Sequence, residues 1–224
     1  ILRVAPLLVR YSHEARMYGF LGLWLLAGPS LLLLAEEQPH QTKYWVGYSL
    51  VMAAGLYTHY FTVFAIVAHW IFLLTRSAPH KWKWGKTPIL RKEWWLANIG
   101  IIVLWLPWLP NFLAQLKRGQ GIGWIPATTV QTLPNNIWQN LTFTDGGQLP
   151  NLLYWDLPVL ILAGICYSVW LVSKKSAATQ MIFWYTFVPI VATILVSLAK
   201  PIYQDRYLVF AANGFYILLG LAIH

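Results

Sequence analysis

Three short polar segments carry the residue types that could do chemistry in this chain. The first is RYSHEARMYG, where Glu14, Arg16 and Tyr18 fall within about two helical turns just before a long apolar stretch. A carboxylate and a guanidinium at such a boundary are costly unless they face water or a polar cavity, so the segment indicates a functional site. The alternative is an interfacial anchor, in which Arg16 and Tyr18 reach the membrane surface.

The second segment is LYTHYFTVF, where His59 lies directly before Tyr60. A histidine here could hydrogen-bond a phosphate, bind a metal ion or carry a proton. The alternative is a helix turn in which Thr58 caps the following helix and His59 is merely exposed. Taken alone, His59 favours the capped turn, because an isolated histidine seldom proves catalytic.

The third segment is KPIYQDRYLVF. Lys200 and Arg206 could bind a phosphate or pyrophosphate, because arginine presents a planar fork of donors and lysine a point charge. The alternative is structural: Asp205 would interact with the dipole at a helix N-terminus, and Arg206 would extend to the membrane surface. Tyr207 opens the last apolar stretch in either case.

Other familiar motifs are missing from the sequence. There is no glycine-rich nucleotide-binding motif, no HExxH and no Cys/His spacing typical of a metal site. Cys166 is the one cysteine, so a disulfide framework is excluded. Soluble nucleotide chemistry therefore has no support, and a metal requirement is left open.

The composition shows what kind of elements must position these segments. Hydrophobic residues make up 58% of the 224 positions and charged residues only 10%, whereas a soluble domain carries about a quarter charged residues. The net charge of +9 comes from residues in polar breaks rather than along one stripe, which indicates membrane topology and not nucleic-acid binding. The apolar stretches predict spans at Gly19–Ala35, Trp45–Leu74, Trp94–Leu116, Leu152–Ser173, Gln180–Ala199 and Tyr207–Ile223.

The Trp45–Leu74 stretch is too long for one crossing. Its 30 residues would reach about 45 Å as a helix, against a hydrocarbon core of about 30 Å. We therefore predict that it divides near Thr58 and His59 into two short helices. The chain then reads as an all-α integral membrane protein, a multi-span helical bundle of about seven spans.

Charged loops predict which side each segment lies on. The basic loop 76–92 and the pair Lys174–Lys175 predict the inner side. Counting spans, with the division at Thr58, places segment 10–18, the Thr58 turn, loop 117–151 and loop 200–206 outside. The 117–151 extracytoplasmic loop is rich in Gly, Pro, Asn and Thr, which favours irregular structure or short interfacial helices. Its Asn-Leu-Thr sequon at Asn140 is a weak signal.

The order APLLVRYSHEARMYG, GLYTHYFTVF and DRYLVFAANGFYILLG, with spans between, resembles a known group of enzymes. This is the bacterial branch of the superfamily that contains protein O-mannosyltransferases and the aminoarabinose transferase of lipid A. Members are GT-C glycosyltransferases, multi-span enzymes that use a polyprenyl-phosphate sugar on the outer side of the membrane. The resemblance, from about Ala5 onward, implies one transmembrane glycosyltransferase domain over 1–224, in a bacterial plasma (inner) membrane.

The resemblance also implies roles for the three segments. Donor phosphate binding falls to Arg16, Arg206 and Lys200. The substrate cavity is implied to include Tyr18, His59, Tyr60, Asp205 and Tyr207. The family's acidic residue that activates the acceptor lies in a loop that would precede Ile1, so Glu14 is the weaker candidate for the catalytic base. The implied partners are the bilayer, a polyprenyl-phosphate sugar and a glycan, lipid or protein acceptor, with a divalent metal as an open possibility.

Two other classes of protein fit the same residues. A transporter or flippase for lipid-linked or anionic substrates would use the outer charges to bind its substrate, without catalysis. A cell-envelope scaffold would use them neither for substrate binding nor for catalysis. Since the chain starts at Ile1 inside an apolar stretch and stops at His224 after another, we expect it to be truncated at the N-terminus and also at the C-terminus. We also expect the 224-residue chain alone to be inactive as a transferase.

Overall fold

The structure, a computed structural model, describes residues 17–77, 87–118, 125, 127–142, 149–173 and 176–223. Within these ranges all regular structure is helical. The chain divides into two compact units: unit 1 is Ile1–Gly19 with Ile125–His224, and unit 2 is Phe20–Trp124. The α-helices are α1 Tyr18–Glu37, α2 Thr42–Thr58, α3 Thr62–Ser77, α4 Lys92–Trp105, α5 Leu109–Arg118, α6 Thr132–Thr142, α7 Asn151–Ser173, α8 Ala177–Ala199 and α9 Val209–Ile223.

Among the described residues, four helical segments are long and apolar enough to cross a membrane. They are Tyr18–Glu37, Lys92–Lys117, Asn151–Leu171 and Ala177–Ala199. By length and composition the chain is a helical, membrane-embedded, multi-pass protein, so the predicted all-α class is confirmed. Helices α2 and α3 have 17 and 16 residues, below the roughly 20 that a full crossing needs. The count of about seven spans therefore stays a prediction.

The predicted division of the Trp45–Leu74 stretch is confirmed. Helix α2 ends at Thr58 and α3 begins at Thr62. Gly55 lets the two helices approach closely, since a Cβ there would lie 2.9 Å from Cγ2 of Thr62. An unbroken helix over 42–77 would be about 54 Å long, whereas the break reverses the chain within unit 2.

An ion-pair cluster shows the result of that reversal. Glu36, near the end of α1, lies 2.9 Å from Arg91, just before α4, and 4.0 Å from Arg76, near the end of α3. The C-terminal ends of α2 and α4 are also in contact, as the Tyr57 hydroxyl donates a hydrogen bond to the Leu104 carbonyl at 3.0 Å. Helices α2 and α4 are therefore parallel neighbours, as a broken α2–α3 segment requires.

Small residues bring α2 and α4 together. The Ser49 hydroxyl lies 2.9 Å from the Ala97 carbonyl oxygen, and a Cβ on Gly100 would lie 3.2 Å from Ser49 Oγ. Beside this seam the fully buried Trp94 packs against Tyr48, with ring centroids 5.7 Å apart. Helix α4 ends at Trp105, and a 3₁₀ turn, Leu106–Trp108, leads into α5. The predicted span Trp94–Leu116 falls within the helical segment Lys92–Lys117, which changes locally from α to 3₁₀ at Pro107, a residue without an N–H for the helical ladder.

Unit 1 is built around α9, which packs on α7 and α8 over a core that includes Ile165, Phe215 and Leu218. Contact between α8 and α9 depends on Gly214, where a Cβ would lie 2.0 Å from Oγ1 of Thr186. Short helix α6 also docks here, as the Trp138 indole N–H donates to the Tyr154 carbonyl at 3.1 Å and the Tyr216 hydroxyl donates to the Asn140 carbonyl.

Part of the predicted 117–151 loop is therefore the packed helix α6. A short helix in this loop was among the expected outcomes and is confirmed. Asn140, the sequon residue, is only 4% exposed, and its side-chain amide donates to the Asn136 carbonyl at 2.8 Å. The folded chain does not present this asparagine for glycosylation.

Candidate functional site

The predicted site residues fall into two groups, one in each unit. In unit 1 the phenol–arginine group comprises Tyr18, Lys200, Arg206 and Tyr207. In unit 2 the His59 turn comprises residues 58–61. Glu14 and Arg16 lie outside the described residues, and of Asp205 only the backbone is described, at the start of the 3₁₀ turn Asp205–Leu208.

The chain between α8 and α9 is shaped by its local sequence. Lys200 precedes Pro201 and has φ −144° and ψ 113°, the extended conformation that a residue before proline prefers. The Ser197 hydroxyl accepts the Ile202 N–H at 3.2 Å, which holds the following residues against the end of α8. Then the Tyr185 hydroxyl donates to the Phe210 carbonyl at 2.8 Å and fixes the start of α9. Arg206 and Tyr207 therefore lie on a segment that hydrogen bonds hold to α8 on both sides.

Two of the predicted cavity residues are brought together in unit 1. The Tyr18 and Tyr207 rings have centroids 6.4 Å apart and are tilted by 36°. Tyr18 is 5% exposed and Tyr207 is partly buried. Residues 189 positions apart in the sequence therefore meet, and the end of the RYSHEARMYG segment lies beside the third segment.

Arg206 supplies the cation of this group. Its guanidinium carbon lies 5.4 Å from the centroid of the Tyr207 ring, and the side chain is partly buried. A guanidinium partly withdrawn from water interacts more strongly with an anion than an exposed one does, because solvent screens the charge less. The arrangement could hold a phosphate group with bidentate hydrogen bonds from Arg206.

Lys200 differs from its predicted partners. Its side chain is exposed, and its backbone N–H donates to the Val196 carbonyl at 2.9 Å. In the part of the chain that the structure describes, no hydrogen bond or ion pair joins the Lys200 side chain to Arg206 or to the two tyrosines. Phosphate binding by Lys200 stays a prediction.

In the His59 turn, the capping role falls to a different residue from the one expected. Thr58 is the last residue of α2, and its hydroxyl donates to the Ala54 carbonyl at 2.8 Å, so the expectation that it caps α3 is wrong. Instead the His59 ring accepts the Phe61 N–H at Nδ1, over 3.1 Å. His59 is partly buried rather than merely exposed, and packs edge-on against the Phe61 ring.

The environment of His59 limits its chemistry. Burial lowers its pKa to about 4, so the ring is neutral at neutral pH. Because Nδ1 accepts a backbone N–H, the single ring proton resides on Nε2. His59 is therefore a neutral hydrogen-bonding group rather than a cation.

Tyr60 belongs to a hydrogen-bonded aromatic group that the sequence analysis missed. Its hydroxyl donates to the Gln115 side chain at 2.8 Å and accepts the Trp108 indole N–H at 3.0 Å. The Phe112 ring packs edge-on at 5.0 Å. In the sequence, the run LWLPWLPNF, with two prolines among aromatic residues, is the feature that could have indicated this group. These contacts make Tyr60 a bridge between the His59 turn and α5.

Within ranges 17–77, 87–118, 127–142, 149–173 and 176–223, no three His, Cys, Asp or Glu side chains are grouped as a metal site would need. His69 is fully buried and hydrogen-bonded through Nδ1 to the Tyr48 hydroxyl at 3.0 Å.

Comparison with known protein families, with curated proteins and with solved structures found no match to this chain. Any functional assignment therefore rests on the residues and their geometry.

Proposed function

We propose that the chain belongs to a membrane glycosyltransferase that moves a sugar from a polyprenyl-phosphate donor to a hydroxyl acceptor. The observation that carries the proposal is the meeting of Tyr18 with Tyr207, beside the partly buried Arg206. A cation and two phenols at one place suit a sugar phosphate, since the guanidinium binds the phosphate and the partly buried Tyr207 presents a ring that can pack against a sugar face. The resemblance described above supports the same reading.

The proposed reaction is a displacement at the anomeric carbon of the donor sugar. The acceptor oxygen forms a bond to that carbon, and the bond from the carbon to the phosphate oxygen breaks. The electron pair leaves with the polyprenyl phosphate, whose growing negative charge Arg206 and Arg16 stabilise. A carboxylate takes the acceptor proton. Within this chain, Glu14 is the candidate for that base.

The remaining predicted residues have secondary roles in this proposal. The resemblance assigns His59 and Tyr60 to the substrate cavity, and within unit 2 Tyr60 holds the His59 turn against α5. Lys200 and Asp205 complete the donor cavity. The protein crosses the membrane about seven times, with the sugar transferred on the outer side of a bacterial inner membrane. These points follow from the sequence and the resemblance.

The proposal is tested by reconstituting the protein expressed from its complete gene with radiolabelled polyprenyl-phosphate sugars and membrane extracts as acceptors. The expected result is loss of label from the donor and its appearance in an acceptor, together with free polyprenyl phosphate. Parallel reactions with a chelator and with added divalent cations determine the metal requirement. Each sugar is assayed separately, because the geometry does not select one.

The same vesicles distinguish the alternatives. A flippase would move intact donor between leaflets without releasing polyprenyl phosphate, and a scaffold would do neither. Intact donor at the end of the reaction, with every sugar and acceptor fraction, would contradict the transferase proposal.

A further inference from the structure

A groove of about 570 Å³ runs along the outer surface of the α2–α4 seam in unit 2. Its floor is the small-residue contact of Ser49, Ala97 and Gly100. Its rims are apolar and largely exposed, with Leu50 at 54% and Leu96 at 61%. The groove is thus open to the surroundings of the helices.

One end of the groove is polar. Thr42, Lys92 and Glu93 lie there, at the first turns of α2 and α4. Trp45 and Trp95 also lie at this end, and Trp95 is 46% exposed, which is typical of an aromatic residue at a membrane–water interface. The Trp45 indole N–H donates to the Pro39 carbonyl, and that of Trp95 to the Ile89 carbonyl, each at 3.1 Å.

The length of the groove matches one leaflet of a bilayer. Lys92 and Leu104 both line the groove. Between these two residues helix α4 rises by about 18 Å. Half of a hydrocarbon core is about 15 Å. An acyl chain of that length therefore fits along the groove from the polar end to Leu104.

We propose that this groove is a binding site for a phospholipid with a phosphate and a primary ammonium in its headgroup, of the phosphatidylethanolamine type. Lys92 binds the phosphate, and Glu93, which is partly buried, accepts a hydrogen bond from the ammonium. The Thr42 hydroxyl is a further donor to the phosphate. One acyl chain lies on the floor formed by Ser49, Ala97 and Gly100.

The opposite charges of Lys92 and Glu93 determine which lipid headgroup the site favours. A purely anionic lipid would place its net charge beside the Glu93 carboxylate as well as beside Lys92. A choline headgroup has no N–H to donate to Glu93. The primary ammonium satisfies both side chains and leaves the site neutral.

The test is the thermal unfolding of the detergent-purified protein in the presence of three lipids of equal chain length. Phosphatidylethanolamine should raise Tm by about 5 °C near saturation. Phosphatidylcholine and phosphatidylglycerol should raise it by less than half as much. Glu93→Gln should abolish the preference for ethanolamine over glycerol, and Lys92→Gln should weaken the response to all three lipids.

Filling the groove provides an independent measurement. Leu50→Trp should remove the lipid-induced shift and the co-purified phospholipid seen by native mass spectrometry. Leu23→Trp is the matched control, because Leu23 is 55% exposed on α1 and does not line the groove. An unchanged shift in Leu50→Trp, or equal shifts from the three lipids, would overturn the proposal. Absence of co-purified phospholipid from the wild-type protein would also overturn it. That is the result expected if another helix covers the groove.

Discussion

A guanidinium nitrogen of Arg91 lies 2.9 Å from a carboxylate oxygen of Glu36, and both side chains are largely buried. Arg76 approaches the other carboxylate oxygen at 4.0 Å. One carboxylate therefore joins the end of α1, the end of α3 and the residue before α4. This relationship fixes the direction of three helices in unit 2.

Replacing that carboxylate should destabilise the fold. Glu36→Ala would leave Arg91 partly buried without its partner, with Arg76 close by as a like charge, so we expect a loss of about 3 kcal/mol in unfolding free energy. The measurement is reversible unfolding in detergent. Glu37→Ala, at the exposed neighbouring position, is the control and should change little. Equal stability of the two variants would show that the cluster does not hold the helices.

Stability should also fall at mildly acidic pH because of His59. Its pKa is lowered to about 4 in the folded chain, against about 6.5 when unfolded. The unfolded state then binds the proton more readily, so stability is complete above pH 6.5 and decreases as the pH falls towards 4. The upper bound of this loss is about 3 kcal/mol.

The measurement is Tm at pH 7.5 and at pH 5. His59→Asn keeps an oxygen that can accept the Phe61 N–H, and should reduce the difference between the two temperatures. His40→Gln, at an exposed position, should leave the difference as in the wild type. If His59→Asn retained the whole pH dependence, the assignment to this ring would be wrong.

Much of the fold could be predicted from the sequence because it depends on local hydrophobic length. Helices α7 and α8 begin within three residues of the predicted spans and end at the predicted residues. The break at His59 followed from comparing the length of one apolar stretch with the thickness of a bilayer. The prediction that Tyr18 and Tyr207 share one cavity rested on the resemblance and on counting spans.

Contacts between distant residues could not be predicted in this way. The Glu36–Arg91 pair and the Tyr60–Gln115 hydrogen bond each join residues 55 positions apart. Such pairs depend on the rotation and register of packed helices, which local composition does not encode. Likewise Ser77 looked like part of the basic loop, but it is fully buried at the end of α3, with its hydroxyl donating to the Leu73 carbonyl.

Membrane sidedness can be tested with single cysteines at exposed positions. Cys166→Ser gives a cysteine-free background, because Cys166 is the one cysteine in the sequence. The distribution of basic residues predicts that Lys117→Cys and Lys200→Cys react with an impermeant thiol reagent on intact cells. His40→Cys should react only after permeabilisation. Reaction of His40→Cys and Lys117→Cys from the same side would contradict the predicted topology.

The most direct test of the transferase proposal is the initial rate of sugar transfer by Arg206→Ala relative to the wild type. Loss of the charge-assisted contact with the leaving phosphate should lower the rate by about 100-fold, at a level of folded protein in the membrane that matches the wild type. Arg206→Lys should recover only part of the rate, because a point charge replaces the planar fork. Lys43→Ala, which removes an exposed cation from α2, should transfer sugar at the wild-type rate. A wild-type rate for Arg206→Ala would contradict the account.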